Sequence, residues 1–334
     1  MTNTSTGSWN IIGHSGAIQF LQRALEQERL SHAYLFVGPP QVGKRTVAAE
    51  LARVIVCTDA PRPCGKCRSC QLALGGHHPD ITTVRGEGAN GRILVDQIRD
   101  IRREASLSPV ESRHRVYIIC NMELANESAA NALLKILEEP PHHVLFLLTT
   151  TAQELVLPTI LSRCQIVFLH PQPREVIASA LRDQWNASDE QAELLARLSG
   201  GRMGRALTML QSDQMLSQRL TALGQLQQIV EQGWDRRFLL AEEIARCRPA
   251  KVQETLEIWV SWWRDILLLH ENLPDRITNY DRETDLTQIY QSFAVDDIRS
   301  ALHALQTCAD CIHKNVGARL ALEWLMVRLP VTNA

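Results

Sequence analysis

The most informative stretch of the chain reads Ala33-Tyr34-Leu35-Phe36-Val37-Gly38-Pro39-Pro40-Gln41-Val42-Gly43-Lys44. Its apolar first part predicts a buried strand, and the remainder fits most of the phosphate-binding pattern G-x-x-x-x-G-K-[ST]. In that pattern, backbone N–H groups surround phosphates at a helix N-terminus, while the lysine reaches the outer phosphates. We therefore predict a strand–loop–helix unit derived from a nucleotide-binding loop.

The loop departs from the full pattern at one position. Gly38, Gly43 and Lys44 fit, but the next residue is Arg45, where a serine or threonine hydroxyl normally binds magnesium. That hydroxyl is either missing or displaced to Thr46. The sequence leaves two alternatives open: a loop that still binds ATP tightly, or an empty or weakly binding, vestigial loop that keeps only a structural role.

A second apolar run, Val116-Tyr117-Ile118-Ile119, ends in Cys120-Asn121 rather than in an acidic pair. Phosphoryl transfer to water needs a carboxylate that holds the metal and a group that orients the nucleophile, and neither cysteine nor asparagine serves well. Glu123 follows, and we expect it to be displaced from the strand tip. Hydrolysis of ATP by this chain alone is therefore not expected.

Four of the nine cysteines cluster in a short segment, at Cys57, Cys64, Cys67 and Cys70. Zinc prefers such a set of four soft ligands, and a site closed by four protein ligands is structural. Arg62, Lys66 and Arg68 would offset the charge of a zinc tetrathiolate, and His77 and His78 are alternative ligands. The odd cysteine count and the absence of a signal peptide argue against a disulfide framework.

Alternating strand-like and helical segments over the first ~170 residues predict an α/β fold with a parallel sheet flanked by helices. Strands are expected at 33–37, 80–84, 115–120, 143–149 and 165–169. Helices are expected at Ala17–Gln27, Arg45–Cys57 and Asn126–Glu139, the last capped by Asn126. After a break at Pro171-Gln172-Pro173 only helices are expected, at Arg174–Trp185, Glu190–Leu198, Arg205–Gln211, Leu216–Glu231, Arg237–Arg246, Val252–His270 and Asp297–Arg328.

Composition narrows the class of protein. The chain has 334 residues, enough for two or three domains, and a net charge of only −2, which does not support a generally basic nucleic-acid-binding surface. No apolar stretch is long enough for a membrane span, and Met1-Thr2-Asn3-Thr4-Ser5 has no signal-peptide character. We expect a cytoplasmic protein without membrane partners.

An arginine in the turn Leu161-Ser162-Arg163-Cys164 precedes the last expected strand. At such a rim, the Arg163 guanidinium can project into the nucleotide site of a neighbouring subunit and stabilise charge on the transferring phosphoryl group. The alternative is an ordinary solvated surface arginine.

Taken together, five sequence features resemble bacterial DNA polymerase III clamp loader subunits of the AAA+ superfamily. They are Ser31-His32-Ala33-Tyr34-Leu35-Phe36, the phosphate loop with its cysteine module, Asn131-Ala132-Leu133-Leu134-Lys135, Leu137-Glu138-Glu139-Pro140-Pro141 and Ser162-Arg163-Cys164. The resemblance implies an AAA+ parallel-sheet P-loop domain at 1–170 with the zinc module at 57–70. It also implies a small helical lid domain at 171–213 and a helical C-terminal collar domain for oligomerisation at 214–334.

Within that family the departures at Arg45 and Cys120-Asn121 favour the non-hydrolysing, delta-prime type of subunit. The stretch Gly201-Arg202-Met203-Gly204-Arg205, which puts glycine where the ATPase subunits carry a nucleotide-sensing arginine, favours the same type. The resemblance implies that Arg163 completes the ATP site of an adjoining gamma or tau subunit. It further implies partnership with gamma/tau and delta subunits and, through the complex, with the sliding clamp and primer-template DNA.

Further expectations concern individual side chains. Thr150 or Thr151 matches the family's first sensor position and is expected only to cap its strand. Trp259, Trp262 and Trp263 lie on one helical run and are expected in a core or a subunit contact rather than in a ligand site.

Two rival functions remain. In the first, the chain is a gamma/tau-type ATPase that uses Thr46 and Glu123 as substitutes for the missing groups. In the second, the cysteine module belongs to a stand-alone zinc-dependent DNA-binding protein unrelated to clamp loading.

Overall fold

The computed structural model describes residues 9–87, 91–314 and 317–331. By its internal contacts the chain divides into two compact units, Met1–Ala180 with Gly201–Arg205, and Leu181–Gly200 with Ala206–Ala334. The division into three domains at residues 170 and 213 stays a prediction. The expected absence of a signal peptide at Met1-Thr2-Asn3-Thr4-Ser5 concerns residues outside the described ranges. Within those ranges, no helix has the length and apolar character needed to cross a membrane.

The regular elements follow one another as strands and helices first and as helices alone afterwards. The strands are β1 (Ala33–Val37), β2 (Ile81–Val84), β3 (Arg115–Ile119), β4 (Val144–Thr150) and β5 (Gln165–Phe168). The helices among and around them are α1 (Ser15–Glu26), α2 (Lys44–Val56), α3 (Arg68–Leu74), α4 (Val95–Ala105), α5 (Glu127–Glu138) and α6 (Pro158–Leu161). The later helices are α7 (Arg174–Trp185), α8 (Asp189–Leu198), α9 (Met203–Gln211), α10 (Asp213–Glu231), α11 (Trp234–Ala245), α12 (Pro249–His270), α13 (Glu283–Ile289), α14 (Val295–His313) and α15 (Ala318–Arg328).

The five strands form one parallel sheet in the order β2-β3-β4-β1-β5. The predicted α/β fold class is therefore confirmed. This order places the carboxyl ends of β1, β3 and β4 beside one another, and in open parallel sheets binding sites form outside that edge. The amino ends of the strands lie at the opposite edge.

Both faces of the sheet are buried, because alternate residues of each strand point to opposite sides. Leu35, Tyr117 and Phe146 face one core, which α4 and α5 complete with apolar side chains such as Ile98 and Leu133. The residues between them in each strand, including Tyr34, Phe36, Ile118 and Leu147, face a second core completed by α1 and α2.

The second unit is a helical bundle around α12. Trp259 and Trp263 are fully buried, and Trp262 is nearly so, within a core shared with α10, α14 and α15. The Trp259 indole Nε1 donates to the Ala222 carbonyl oxygen at 2.7 Å. The prediction that these tryptophans serve the core is confirmed.

The expected strands and most expected helices are present within a few residues of their predicted bounds. The cap of α5 is also as predicted, since Asn126 Oδ1 accepts from the Ala129 amide at 2.7 Å. The single helical segment expected at Asp297–Arg328 was wrong, because the structure has two helices there, α14 and α15. Gly317 caps the second of them, and glycine is a poor residue for a helix interior.

Candidate functional site

The phosphate-binding loop joins β1 to α2 at the carboxyl edge of the sheet. Gly43 has φ +115°, a conformation that side-chain-bearing residues rarely adopt, and α2 begins at Lys44 directly after it. The Lys44 Nζ donates to the carbonyl oxygens of Gly38 at 2.6 Å and Pro39 at 2.8 Å. Burial lowers the pKa of Lys44 from 10.5 to about 8, and the Glu123 carboxylate opposes this only in part. The lysine thus lies folded onto its own loop.

Arg45 and Thr46 follow in the first turn of α2, and both are exposed. Because a guanidinium carries a positive charge and offers no acceptor atom, Arg45 cannot serve as a metal ligand at this position. The Thr46 hydroxyl remains the nearest one along the chain.

Backbone and side-chain contacts brace the loop from two further segments. His14 Nε2 lies 3.0 Å from the Val42 carbonyl oxygen, and Gln172 lies 3.0 Å from His14 Nδ1. The Gly204 amide donates to the Gln41 carbonyl oxygen at 2.9 Å. A Cβ on residue 204 would lie 2.7 Å from that oxygen, so only glycine fits here without a shift. The glycine expected at the sensor place therefore contacts the loop itself.

The tip of β3 carries no carboxylate at Cys120 or Asn121. Cys120 is buried, and burial raises the pKa of its thiol. Asn121 adopts a left-handed conformation with φ 59°, and its amide donates to Thr149 Oγ1 at 3.0 Å. Both residues therefore serve the structure of the strand end.

Glu123 lies closer to this edge than we expected. Its Oε1 accepts from the Thr151 hydroxyl at 2.6 Å and from the Thr151 amide at 3.2 Å, so the carboxylate is held at the tip of β4. Its Oε2 is buried and has no hydrogen-bond partner among the described residues. The short helical turn Met122–Leu124 directs the side chain back toward the edge, which explains why counting residues along the strand was misleading.

Thr150 behaves as the expected strand cap. Its hydroxyl donates to the Ala152 carbonyl oxygen at 3.0 Å and accepts from the Ala152 amide at 3.2 Å. Of the two threonines at this strand end, it is Thr151 that contacts an acidic side chain.

The four clustered cysteines converge, as zinc ligands must. The Sγ atoms of Cys57, Cys64, Cys67 and Cys70 all lie within 4.8 Å of one another, and the pairs Cys57–Cys67 and Cys64–Cys70 are both 3.9 Å apart. A tetrahedral site with Zn–S bonds of ~2.3 Å would separate its sulfurs by ~3.8 Å. The four side chains can therefore hold a metal ion with little movement.

Backbone amides also point at these sulfurs. The amides of Cys64, Cys67 and Cys70 each donate to the preceding cysteine sulfur of the cluster at 3.3 Å. The alternative ligands lie elsewhere: His77 is exposed, and His78 Nδ1 accepts from the Asp80 amide at 3.0 Å. Four cysteines, without histidine, make up the candidate metal centre.

Arg163 lies at the other edge of the sheet, directly before β5. Its Nη2 donates to Glu138 Oε1 at 2.9 Å, and its Nη1 donates to the Thr159 carbonyl oxygen at 2.9 Å. About a third of the side chain is exposed. Because a strand of this length spans roughly 15 Å, the guanidinium lies far from the phosphate loop of its own chain.

Three features of the site were not predicted from the sequence: the bracing of the loop by His14 and Gln172, the contact of Gly204 with Gln41, and the pairing of Glu123 with Thr151. The paired residues lie far apart in the sequence, and no short motif links them. The one local hint was Gly13-His14 ahead of α1, where a histidine follows glycine at a turn.

Comparisons with known proteins agree with this structure. Residues 13–173 match the family described as DNA polymerase III, delta subunit. The DNA polymerase III subunit delta-prime of Bacillus subtilis is 28% identical over 318 residues, which cover 93% of this chain and 94% of the relative. The tau subunit of the same organism is 35% identical over 215 residues, but these cover only 62% of this chain and 37% of tau.

Among solved structures, a DNA polymerase III gamma subunit-related protein of Thermotoga maritima is 18% identical, with 93% of this chain and 97% of that chain aligned at a TM-score of 0.43. This chain thus spans little more than a third of the tau relative, whereas it aligns with the delta-prime relative along nearly the whole of both chains. With its phosphate-loop sheet and this similarity along nearly the whole chain, the protein resembles the delta-prime subunits of DNA polymerase III.

Proposed function

We propose that this chain is the non-hydrolysing subunit of a DNA polymerase III clamp loader, and that it helps the ATP-driven assembly place a sliding clamp on primed DNA. The observation that carries the proposal is the pairing of an intact phosphate-loop fold with Cys120 and Asn121 at the tip of β3. A site without a metal-binding carboxylate there cannot activate water in the usual way. The chain-long similarity to a delta-prime subunit supports the same conclusion.

Arg163 would act in trans, in the ATP site of an adjoining gamma or tau subunit. Its place before β5, at the edge opposite to its own loop, favours contact with a neighbour over contact with its own site. The Glu138 carboxylate, which is half exposed, holds the guanidinium with a single ion pair. A phosphoryl group that carries more negative charge can replace Glu138, because bidentate arginine–phosphate contacts are strong.

The phosphate loop would be vestigial or bind nucleotide weakly. Lys44 already has two carbonyl acceptors, and Arg45 stands where the magnesium-binding hydroxyl is usual. A nucleotide would have to displace these contacts and the bracing from Gly204 before it gained phosphate contacts.

The cysteine centre would bind zinc and act structurally. Four sulfur donors favour zinc over hard metals, and with all four positions filled by protein no coordination site remains for a substrate. When bound, the metal would cross-link residues 57–70 and would take no part in a reaction.

The partners would be gamma/tau and delta subunits, with the sliding clamp and primer-template DNA met through the assembly. Residues 1–170 would form the AAA+ domain, 171–213 the lid and 214–334 the collar that joins neighbouring subunits. A net charge of −2 does not favour strong electrostatic binding of DNA by this chain alone.

One observation favours the rival in which this chain hydrolyses ATP. The unpartnered Oε2 of Glu123 is buried near Lys44, where a carboxylate could contact a bound magnesium ion or water. If Glu123 and Thr46 replaced the usual groups, the chain would be a gamma-type ATPase. The Thr151 hydrogen bonds engage only Oε1, and what counts against the rival is the absence of the usual acidic pair at Cys120 and Asn121.

The two functions can be distinguished in a complex in which the phosphate loops of the partner ATPases are inactivated. Our proposal predicts no DNA-stimulated ATP turnover above background and no change on Lys44→Ala or Glu123→Gln in this chain. Turnover that disappears with either substitution would establish the rival. Failure of the chain to assemble with the other subunits at all would instead favour a stand-alone zinc-dependent DNA-binding protein, which should then bind DNA by itself in a salt-sensitive way.

A further inference from the structure

A buried ion pair lies on the helix that connects the phosphate loop to the cysteine cluster. Arg53 Nε donates to Glu50 Oε2 at 2.9 Å, and Arg53 Nη2 pairs with Glu50 Oε1. Both side chains are only 7% exposed. Buried charges are costly, and an apolar pair of similar volume is often at least as stable, so stability alone is a weak explanation for this pair.

The position of Arg53 points to the cysteine cluster. It lies in the last turn of α2, four residues before Cys57, so the two side chains lie on one face of the helix. The Arg53 Nη1 also lies 3.9 Å from where a Cβ of Gly65 would stand, between the second and third cysteines. The Nη1 of Arg53 therefore lies beside the cysteine cluster, while the other two nitrogens of the guanidinium bind the Glu50 carboxylate.

Electrostatics agrees with this geometry. The hydrogen bond to Glu50 is the largest cause that raises the pKa of Arg53. Burial opposes this rise, and the sulfurs of Cys70 and Cys57 add to it. Arg53 is therefore a permanent positive charge close to two of the four candidate ligands.

The other cations near the cluster are poorly placed for this task. Arg62, Lys66 and Arg68 are exposed, and the Arg68 side chain is 80% exposed and paired with Glu111 at 3.1 Å. Water and salt weaken the interaction of an exposed charge with its neighbours, whereas a buried charge is screened much less. Arg68 thus offers a matched control for Arg53, with the same side chain beside the same cluster but in solvent.

We propose that Arg53 is a positioning residue that compensates the charge of the four-thiolate metal complex, with Glu50 holding its guanidinium in place. The inference rests on the metal centre proposed above. When a divalent ion binds, it replaces four thiol protons and leaves a complex with net charge −2. A buried cation beside this complex lowers its free energy, and groups outside the first ligand shell commonly change metal affinity by about 10–100-fold.

Cobalt(II) is a suitable probe because its tetrahedral thiolate complex absorbs visible light, and a competing chelator gives the affinity. We expect Arg53→Gln to weaken cobalt and zinc binding by about tenfold or more. Arg68→Gln should change the affinity by less than about twofold, because its charge is screened. Glu50→Gln keeps an acceptor oxygen for the Arg53 guanidinium and removes the opposing carboxylate charge, so it should bind the metal as tightly as the wild type or more tightly.

The Glu50→Gln variant separates a charge effect from mere packing. If the pair only supports the fold, Glu50→Gln and Arg53→Gln should weaken the metal equally, which would overturn the proposal. So would an Arg53→Gln protein with wild-type affinity. Should Arg53→Gln not fold, the double variant Glu50→Gln/Arg53→Gln leaves no unpaired buried charge and must bind metal at least about tenfold more weakly than Glu50→Gln alone. A wild-type protein that binds neither ion would remove the metal centre itself, and this inference with it.

Discussion

Cys120 and Asn121, at the end of β3, occupy the place where ATP hydrolysis usually needs an acidic pair. Cys120 is buried, and Asn121 turns the chain with a left-handed backbone. Neither offers a carboxylate for magnesium, and Arg45 stands where the magnesium-binding hydroxyl is usual, so the unit lacks groups that ATP hydrolysis usually needs. By contrast, Arg163 is partly exposed at the far edge of the sheet. This position fits the role that we propose for Arg163 in the ATP site of a neighbouring subunit.

His14 makes the loop sensitive to acid. Burial lowers the pKa of His14 below 6.5, the Val42 carbonyl opposes the shift, and the nearby His170 adds to it. Because the unfolded chain then binds the proton more readily than the folded chain, stability is complete above pH 6.5 and falls as the pH drops toward the folded pKa. Between pH 7.5 and 5.5, we expect the free energy of unfolding to fall more steeply for the wild type than for His14→Asn. The two slopes should differ by at most about 1.4 kcal/mol per pH unit. Urea denaturation measures both slopes, and parallel slopes would contradict the assignment.

At the scale of elements, α2 connects the two candidate sites. Its first residue is Lys44 of the loop, and Cys57, the first ligand of the cysteine cluster, caps its last turn. Its inner face packs against the sheet through Val47, Leu51 and Val54. A rigid helix between them fixes the distance from the phosphate loop to the metal centre.

The N-terminal cap of α5 should contribute measurably to stability. Asn126→Ala removes the bond from Asn126 Oδ1 to the Ala129 amide, which should cost about 1 kcal/mol of unfolding free energy. Asn131→Ala makes the same change at an exposed interior position of the same helix and should cost nothing, because alanine is the better helix former. Chemical denaturation of both variants compares them. Equal losses would mean that the cap has no special role.

The tryptophans of the second unit should differ sharply in importance. Trp259→Phe removes the indole donor to the Ala222 carbonyl and opens a cavity, so we expect a loss of about 2–4 kcal/mol. Trp234→Phe changes a side chain that is half exposed and should cost less than about 0.5 kcal/mol. Thermal or urea unfolding followed by far-UV circular dichroism would measure both. A small loss at Trp259 would contradict its place at the centre of the bundle.

The elements that could be predicted from sequence are those with a local signal. The strands are short runs rich in β-branched, aromatic and other apolar residues, and the phosphate loop and the cysteine cluster are each contiguous in sequence. The helix α4 was missed because Val95–Ala105 is rich in charge and buries only Ile98, Ile101 and Ala105. The contact between Glu123 and Thr151 could not be predicted, since it depends on the neighbouring positions of β3 and β4 in the sheet.

At the scale of the whole molecule, the sheet-containing unit and the helical unit each have their own core. The first unit also carries the candidate metal centre, and if that centre holds a metal, removal of the metal should destabilise this unit. For a unit of this size each kcal/mol lost lowers the Tm by about 2–4 °C, so we expect a fall of several degrees on chelation. Differential scanning calorimetry with and without chelator measures it.

Cys64→Ser is the matched control for metal removal. Lacking one ligand, it should already melt at a lower temperature and should respond little to chelator. An unchanged Tm in a wild-type protein proven to have lost its metal would contradict a structural role for the centre.

The most direct test of the account is a reconstituted clamp loader that carries Arg163→Ala in this chain only. An arginine that stabilises the transferring phosphoryl group increases the rate of hydrolysis about 10³–10⁵-fold at the ATP site that it enters. The other ATP sites of the complex keep their own arginines. We therefore predict intact assembly, a partial fall in ATP turnover and a loss of clamp loading. Arg182→Ala, which removes a comparably exposed arginine paired with Asp189, should leave all three unchanged. Wild-type rates with Arg163→Ala would contradict the account and leave this chain without a part in the chemistry.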